Sequence, residues 1–202
     1  PRLRLVANLG VGVDSIDTRA ATERGILVSN TPGAVAGPTA ECAMALLLAV
    51  CRRIPEADEY VRRGKWGEWT PTLFQGAGLA GKTLGILTDL GMITAHVEES
   101  YQLCDALVLE ANHDPVMLAY SAYPQSLKQR VGGPWGHLSN QQSAGFLAQL
   151  DVTRLQHLVI AHISQKNNSL EAVRSVLDAV SQGARQVIYA CQEEGFDWLE
   201  LV

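Results

Sequence analysis

The chain has 202 residues, a mass of 21.8 kDa, a net charge of −5 and a pI near 5.5. At 47% hydrophobic and 18% charged, it is not a disordered chain, and its acidity excludes a bulk electrostatic grip on nucleic acid or anionic lipid. The longest apolar run, about nine residues from Ala43 to Cys51, falls far short of the roughly 20 that a membrane-spanning helix needs.

Leu3 to Asn8 reads as a short strand, followed by a loop holding Gly10, Gly12 and Asp14. Thr18 to Arg24 reads as a short helix ended by Gly25, and Ile26 to Ser29 as a strand. Asn30-Thr31-Pro32-Gly33 is a turn, because proline presets one dihedral and glycine accepts positive φ. Pro38 opens a helix to about Arg53 that is apolar on nearly every face, which predicts burial on most sides. Glu56 to Arg63 is a second helix, with a basic face at Arg52-Arg53 and Arg62-Arg63-Lys65 that reads as solvated charge. Trp66, Trp69 and Trp135 read as loop anchors.

Gly81 to Leu87 is a buried parallel strand. Thr94 caps a helix over His96 to Leu103, and Ala106 to Glu110 is a strand. Short helices follow at Val116–Tyr120 and Pro124–Val131, then the loop Gly132-Gly133-Pro134-Trp135-Gly136. Ser139-Asn140 caps a helix to about Leu150. The remaining elements are a strand over Leu155–His162, an amphipathic helix over Leu170–Val180, a strand over Gln186–Cys191 and a last edge strand over 197–202. Alternation of strands and helices predicts an α/β fold, layered as αβ(α), with a parallel or mixed sheet.

The four cysteines stand apart with no Cys-x-x-Cys pair, which argues against a zinc ribbon or a disulfide framework and for free thiols in the cytoplasm. No signal peptide is visible, and a start at Pro1 rather than Met suggests that the true N-terminus is missing. Charge divides unevenly. Residues 1–87 carry ten Lys or Arg and eight Asp or Glu, a net of +2, whereas residues 88–202 carry six and thirteen, a net of −7. All five histidines lie in the second part. The reading is two partial domains, 1–87 and 88–202, sharing the strand at 84–89.

The run ANLGVGVDSID…AATERGILVSNTPG…TAECAMALLLAVCRR…GKWGEW…GLAGKTLGI resembles the D-isomer-specific 2-hydroxyacid dehydrogenases over residues 2–87. That resemblance implies that the Val11-Gly12 turn offers backbone N–H groups to a substrate carboxylate. It also implies that the helix after Pro38 lies at a domain and dimer interface, and that Gly85-Ile86 ends the first strand of a dinucleotide-binding unit. The family continues with Gly-Leu-Gly-Arg-Ile-Gly, whereas this chain reads Thr88-Asp89-Leu90-Gly91-Met92-Ile93-Thr94. Gly91 alone remains of the cradle, and Asp89 sets a negative charge where a pyrophosphate would sit. The family's catalytic Arg, Glu and His have no recognised counterparts, so NAD is not expected.

From about Leu84 to Val202, the phrases LGILTDLGMIT, CDALVLEANHD, YPQSLKQRVGGPWGHLSN and LVIAHISQKNN resemble the C-terminal half of a metallo-β-lactamase-fold hydrolase. This second resemblance implies that Asp89 bridges two metal ions and His162 ligates one, with Glu110 and His137 relaying a proton to the leaving group of a phosphodiester. The fold's His-x-His-x-Asp-His signature is missing, since residues 1–88 contain no histidine. Zinc or manganese is therefore expected to bind weakly, at an incomplete site. The combined expectation is a composite α/β protein without a complete catalytic site, prone to self-association through unpaired edges and making no use of membrane or nucleic acid. The alternatives are a metal-dependent hydrolase and a nicotinamide-linked 2-hydroxyacid dehydrogenase.

Overall fold

The computed structural model describes residues 2–13, 15–68, 70–193, 195–197 and 199–201. Residues 1–78 and 79–202 form two compact units. The expected break at residue 87 follows the charge balance. The structural division falls earlier, so the strand 84–87 lies wholly in the second unit.

In the first unit, β1 (Leu5–Ala7) pairs in parallel with β2 (Leu27–Ser29), and α1 (Thr18–Glu23) connects them. The Asp17 side chain accepts from Ala20 N and so closes the start of α1. Two further helices follow, α2 (Ala36–Cys51) and α3 (Ile54–Arg62). None of the residues of α2 is buried, contrary to the expectation from its sequence. Met44, Leu46 and Leu48 are exposed, because apolar residues on every face can be covered only where other elements surround the helix. The basic face of α3 is ion-paired along the helix, Arg62 with Asp58 and Arg63 with Glu59.

The second unit is built on one parallel sheet in the order β3 (Leu84–Leu87), β4 (Ala106–Glu110), β5 (His157–Ala161) and β6 (Gln186–Tyr189). α4 (Ala95–Ser100) links β3 to β4. Three helices, α5 (Pro115–Tyr120), α6 (Gln125–Val131) and α7 (Asn140–Leu147), separate β4 from β5. α8 (Leu170–Leu177) leads into β6. This is the α/β architecture expected from the alternating pattern, and its sheets are parallel. The expected edge strand over 197–202 is not formed among the described residues of that segment.

The pairing register brings Glu110, the last residue of β4, level with Ala161, the last residue of β5. The core lies against the central strands: Leu107, Leu109, Leu158 and Ile160 pack with Phe146 and Leu147 of α7 and Val173 and Leu177 of α8. Gly85 is required by close approach, since a Cβ there would lie 2.8 Å from the Tyr101 ring and 2.9 Å from Leu107. At the other end of the strands, Asp105 accepts from Thr83 N at 2.7 Å and pairs with Arg154 at 2.8 Å, which fixes the entry of β3 to that of β4. The Thr83 amide, with the Arg154 guanidinium adding to it, holds the Asp105 carboxyl below its usual range.

Burial along the sheet predicts an asymmetry between two of its residues. Leu158→Ala, at a fully buried position, should cost about 2–5 kcal/mol. Ile86→Ala, at a position 57% exposed, should cost well under that, roughly 1 kcal/mol or less. Chemical denaturation of both variants measures the difference.

Candidate active site at the strand ends

The second unit's expected site residues converge at the C-terminal ends of β3, β4 and β5. Glu110 is fully buried at the end of β4. Its Oε1 lies 2.7 Å from Nδ1 of His137, a hydrogen bond. Its Oε2 accepts from Leu90 N at 3.3 Å, which ties the turn after β3 to the same carboxylate. His162 follows directly after β5, with Nδ1 2.9 Å from Glu110 Oε1 but off the hydrogen-bonding direction, so that this buried nitrogen has no hydrogen-bond partner among the described residues. The two imidazoles meet edge to face at 5.0 Å.

Asp89 is more open, with its side chain 68% exposed. Its carboxylate oxygens lie 3.7 Å from His137 Nδ1 and 3.9 Å from His162 Nδ1. Asp89 and His162 both hold left-handed backbone, with φ of 58° and 54°. Such conformations cost non-glycine residues on the order of 1–3 kcal/mol and collect at functional sites. Hydrogen bonds from Asn112 hold the His162 turn. Asn112 donates to the His162 carbonyl at 3.0 Å, Asn112 N donates to Leu138 O at 3.0 Å, and Ser164 N donates to Asn112 O at 2.9 Å. One residue after β4 and its alanine neighbour thus stitches both histidine loops together.

Beneath them, Asn140 and Asn168 exchange amide hydrogen bonds at 3.0 and 2.8 Å, and Asn168 also donates to Ala111 O. The Ser143 hydroxyl donates to Glu110 O at 2.5 Å. Asn112, Ser143 and Asn168 carry no mark in the sequence, and Asn140 is marked only as part of a helix cap. Their partners lie 28 to 57 residues away, so no local pattern marks them; Ser139, which caps α7, was recognisable from its type and place. His113 is buried beside this network. Burial pushes its imidazole below the ordinary histidine value, the neighbouring His137 adds to that, and Asp114 opposes it.

The chemistry of the cluster is that of an oriented imidazole. With Glu110 Oε1 accepting from Nδ1–H of His137, Nε2 is the atom that can exchange a proton with a ligand. Asp89, His137 and His162 also place one possible ligand atom each within 4.8 Å of one another. A cavity of about 740 Å³ lies elsewhere, lined by His157 and Gln186 at the N-terminal starts of β5 and β6.

In the first unit, the loop carrying Val11 and Gly12 has its carbonyls engaged. Asn8 donates to Gly12 O at 2.7 Å, Asn30 to Val11 O at 2.8 Å, and the Thr31 hydroxyl to Leu9 O at 3.1 Å. Asp14 and Trp69, both singled out from the sequence, lie outside the described residues. Trp135 and Trp66 are exposed, at 93% and 56%, and so do not anchor their loops as expected.

The profile of the D-isomer specific 2-hydroxyacid dehydrogenase catalytic domain matches residues 1–189. The chain belongs to the D-isomer specific 2-hydroxyacid dehydrogenase family. It is 54% identical over 91 residues to the glyoxylate reductase of Thermococcus litoralis, covering 43% of this chain and 28% of that one. It is 50% identical over 103 residues to the glyoxylate reductase of Aeropyrum pernix, covering 49% of this chain and 30% of that one. The chain thus spans under a third of the length of these curated relatives. A solved NADPH-dependent glyoxylate/hydroxypyruvate reductase from Sinorhizobium meliloti aligns with 94% of this chain and 59% of its own, at 20% identity and a TM-score of 0.41.

Membership of this dehydrogenase family corrects the reading of the second unit. The match continues past residue 87 through β6, across the residues taken to resemble a metallo-β-lactamase-fold hydrolase, so that assignment and its phosphodiester chemistry fall. The expectation of zinc or manganese falls with it. In the geometry, the close partner of both imidazole Nδ1 atoms is the buried Glu110 carboxylate, at 2.7 and 2.9 Å, with Asp89 farther off.

The expectation against NAD is overturned as well, since the dehydrogenase match includes the very turn on which it rested. What remains is a local fact about that turn. In it, Leu90 N donates to Glu110 Oε2, and a Cβ at Gly91 would lie 2.2 Å from Gly133 O and 2.6 Å from Gly136 N. Gly91 thus serves close backbone packing against the 133–136 turn.

His113 gives the site a pH dependence with a definite sign. A histidine whose folded value is depressed contributes stability that is complete above about 6.5, its ordinary value, and is lost as pH falls below it. Thermal melts should therefore drop on acidification below pH ~6.5, and His113→Leu should flatten that slope. An equal slope in both proteins would show that His113 does not carry it.

Proposed function

We propose that the chain serves nicotinamide-linked reduction of a small 2-oxo acid of the glyoxylate type, with His137 as proton donor and Glu110 as the carboxylate that orients it. The observation that carries this reading is the 54% identity over 91 residues to a glyoxylate reductase, within a chain whose family is that of the 2-hydroxyacid dehydrogenases.

Reducing a 2-oxo acid to a 2-hydroxy acid delivers two electrons with one proton to the carbonyl carbon and a second proton to its oxygen. The second proton is the part this chain's residues account for. A His137 imidazolium held through Nδ1 by Glu110 at 2.7 Å presents Nε2–H to a carbonyl oxygen. As the oxygen gains charge, the proton moves to it and the imidazole is left neutral, still fixed by the buried carboxylate. In the reverse direction, the neutral ring takes the proton from a 2-hydroxy acid.

The test is oxidation of NADH or NADPH by the purified chain with glyoxylate, hydroxypyruvate or pyruvate. Turnover is expected with at least one pair. His137→Asn should lower kcat by about 10²–10⁴-fold, the range for loss of a general acid, and Glu110→Gln should act in the same direction by a smaller factor. A chain that oxidises neither cofactor with any of these acids, while folded, would remove this reading.

A further inference from the structure

We infer that Gln142 is a positioning residue that holds the Asp89 turn against the His137 loop, and so sets the charge beside the proton-transferring imidazole. Its catalytic consequence rests on the reading of Glu110 and His137 as a proton-transfer pair, but the geometry behind it does not.

Gln142 is the third residue of α7, whose N-cap is Ser139. Its Oε1 accepts from Ser139 N at 2.9 Å and from the Ser139 hydroxyl at 2.9 Å, and the Ser139 hydroxyl accepts from Gln142 N. That reciprocal box needs only an acceptor at this place, and Glu serves it as well as Gln. The amide does something more. Its Nε2 donates to the carbonyl of Gly91 at 3.3 Å. One side chain therefore ties the residue two after His137 to the residue two after Asp89.

The two segments it joins are packed on each other. A Cβ at Gly91 would come within 2.2 to 2.7 Å of Gly133, Pro134 and Gly136, the turn that runs directly into His137. That turn is closed by Gly136 N donating to Gly133 O at 2.9 Å and is fastened by His137 N donating to Val131 O at 2.9 Å. Asp89, in its left-handed conformation, then lies 3.7 Å from His137 Nδ1. Its side chain is mostly exposed, and no hydrogen bond aligns it to the ring. The place of its charge thus depends on the turn that carries it, and Gln142 is the link from that turn to the imidazole's own loop. A carboxylate at position 142 would keep the box but meet the Gly91 carbonyl with like polarity and no proton to offer.

A double-mutant cycle between Gln142→Glu and Asp89→Asn tests this, read by the ring-nitrogen NMR shifts of His137 at one fixed pH and by thermal melting. Gln142→Glu is expected to keep the wild-type Tm and to move the His137 ring shifts in the same direction as Asp89→Asn. In the Asp89→Asn background, Gln142→Glu should add little. Where reduction of a 2-oxo acid is measurable, kcat should fall about ten- to a hundredfold with little change in KM, as for a misplaced group. Unmoved ring shifts in Gln142→Glu, or equal movement with and without the Asp89 charge, would overturn the inference. If Gln142→Glu does not fold, Ser139→Ala decides. It removes the box and keeps the Gly91 link, so a lower Tm with unmoved His137 shifts supports the inference, and moved shifts overturn it. Ring shifts that follow the expected cycle in a chain with no reductase activity would leave this inference standing and remove the proposed function alone.

Discussion

The second unit is organised around one buried carboxylate. Glu110 is fully buried at the end of a central strand, and an isolated charge there would be costly. Its partners are arranged to offset that cost: one oxygen faces two imidazoles, and the other accepts a backbone N–H from the turn after β3. The turns after β3 and β5 and the loop between α6 and α7 are thus drawn to the same two oxygen atoms. Because parallel strands end at one edge of the sheet, the register that levels Glu110 with Ala161 also places His162 beside it. The packing of the core and the geometry of the site are consequences of the same register.

Around that centre, the polar side chains share one task, which is to keep irregular backbone satisfied where loops meet. Asn112, Asn168 and Ser143 each bond a carbonyl on or near the residues that end β4 or follow β5. A loop buried without such partners would leave peptide groups unpaired, at a cost of about 1–3 kcal/mol each. These side chains thus allow the strand ends to be both enclosed and irregular. That combination lets His162 hold left-handed backbone beside the Glu110 carboxylate.

Much of this was legible in the sequence where a residue's local setting fixed its role. Thr94 and Ser139 were readable as helix caps because a hydroxyl before an apolar-periodic stretch has few other uses, and both accept the expected backbone N–H. Asp89, Glu110, His137 and His162 are marked by the phrases around them, which resemble those of another fold; their types and places alone favour a turn residue and a core histidine. Their convergence follows from the parallel order of β3, β4 and β5. The chemistry assigned to them did not follow, because an Asp–Glu–His–His cluster is compatible with more than one reaction and its types alone do not choose. Other features were illegible for definite reasons. The apolar faces of α2 show what could be buried, not whether anything covers them. The charge break near residue 87 says nothing of β3, whose place is decided by its hydrogen bonds to β4. The Asn140–Asn168 pair spans 28 residues and leaves no periodic trace.

The composition of the cluster would constrain a carboxylate substrate of the proposed reduction. Asp89 and Glu110 bring two carboxylates to the strand ends, and a 2-oxo acid would bring a third. At a few ångströms and an effective dielectric of ~20, each like-charge pair would oppose binding by several kcal/mol, less where Asp89 faces water. In the proposed reaction, a proton carried on His137 would offset one of those charges as the anion enters, and its transfer to the carbonyl oxygen would restore that charge beside the hydroxy acid, so proton supply, entry and release would be coupled.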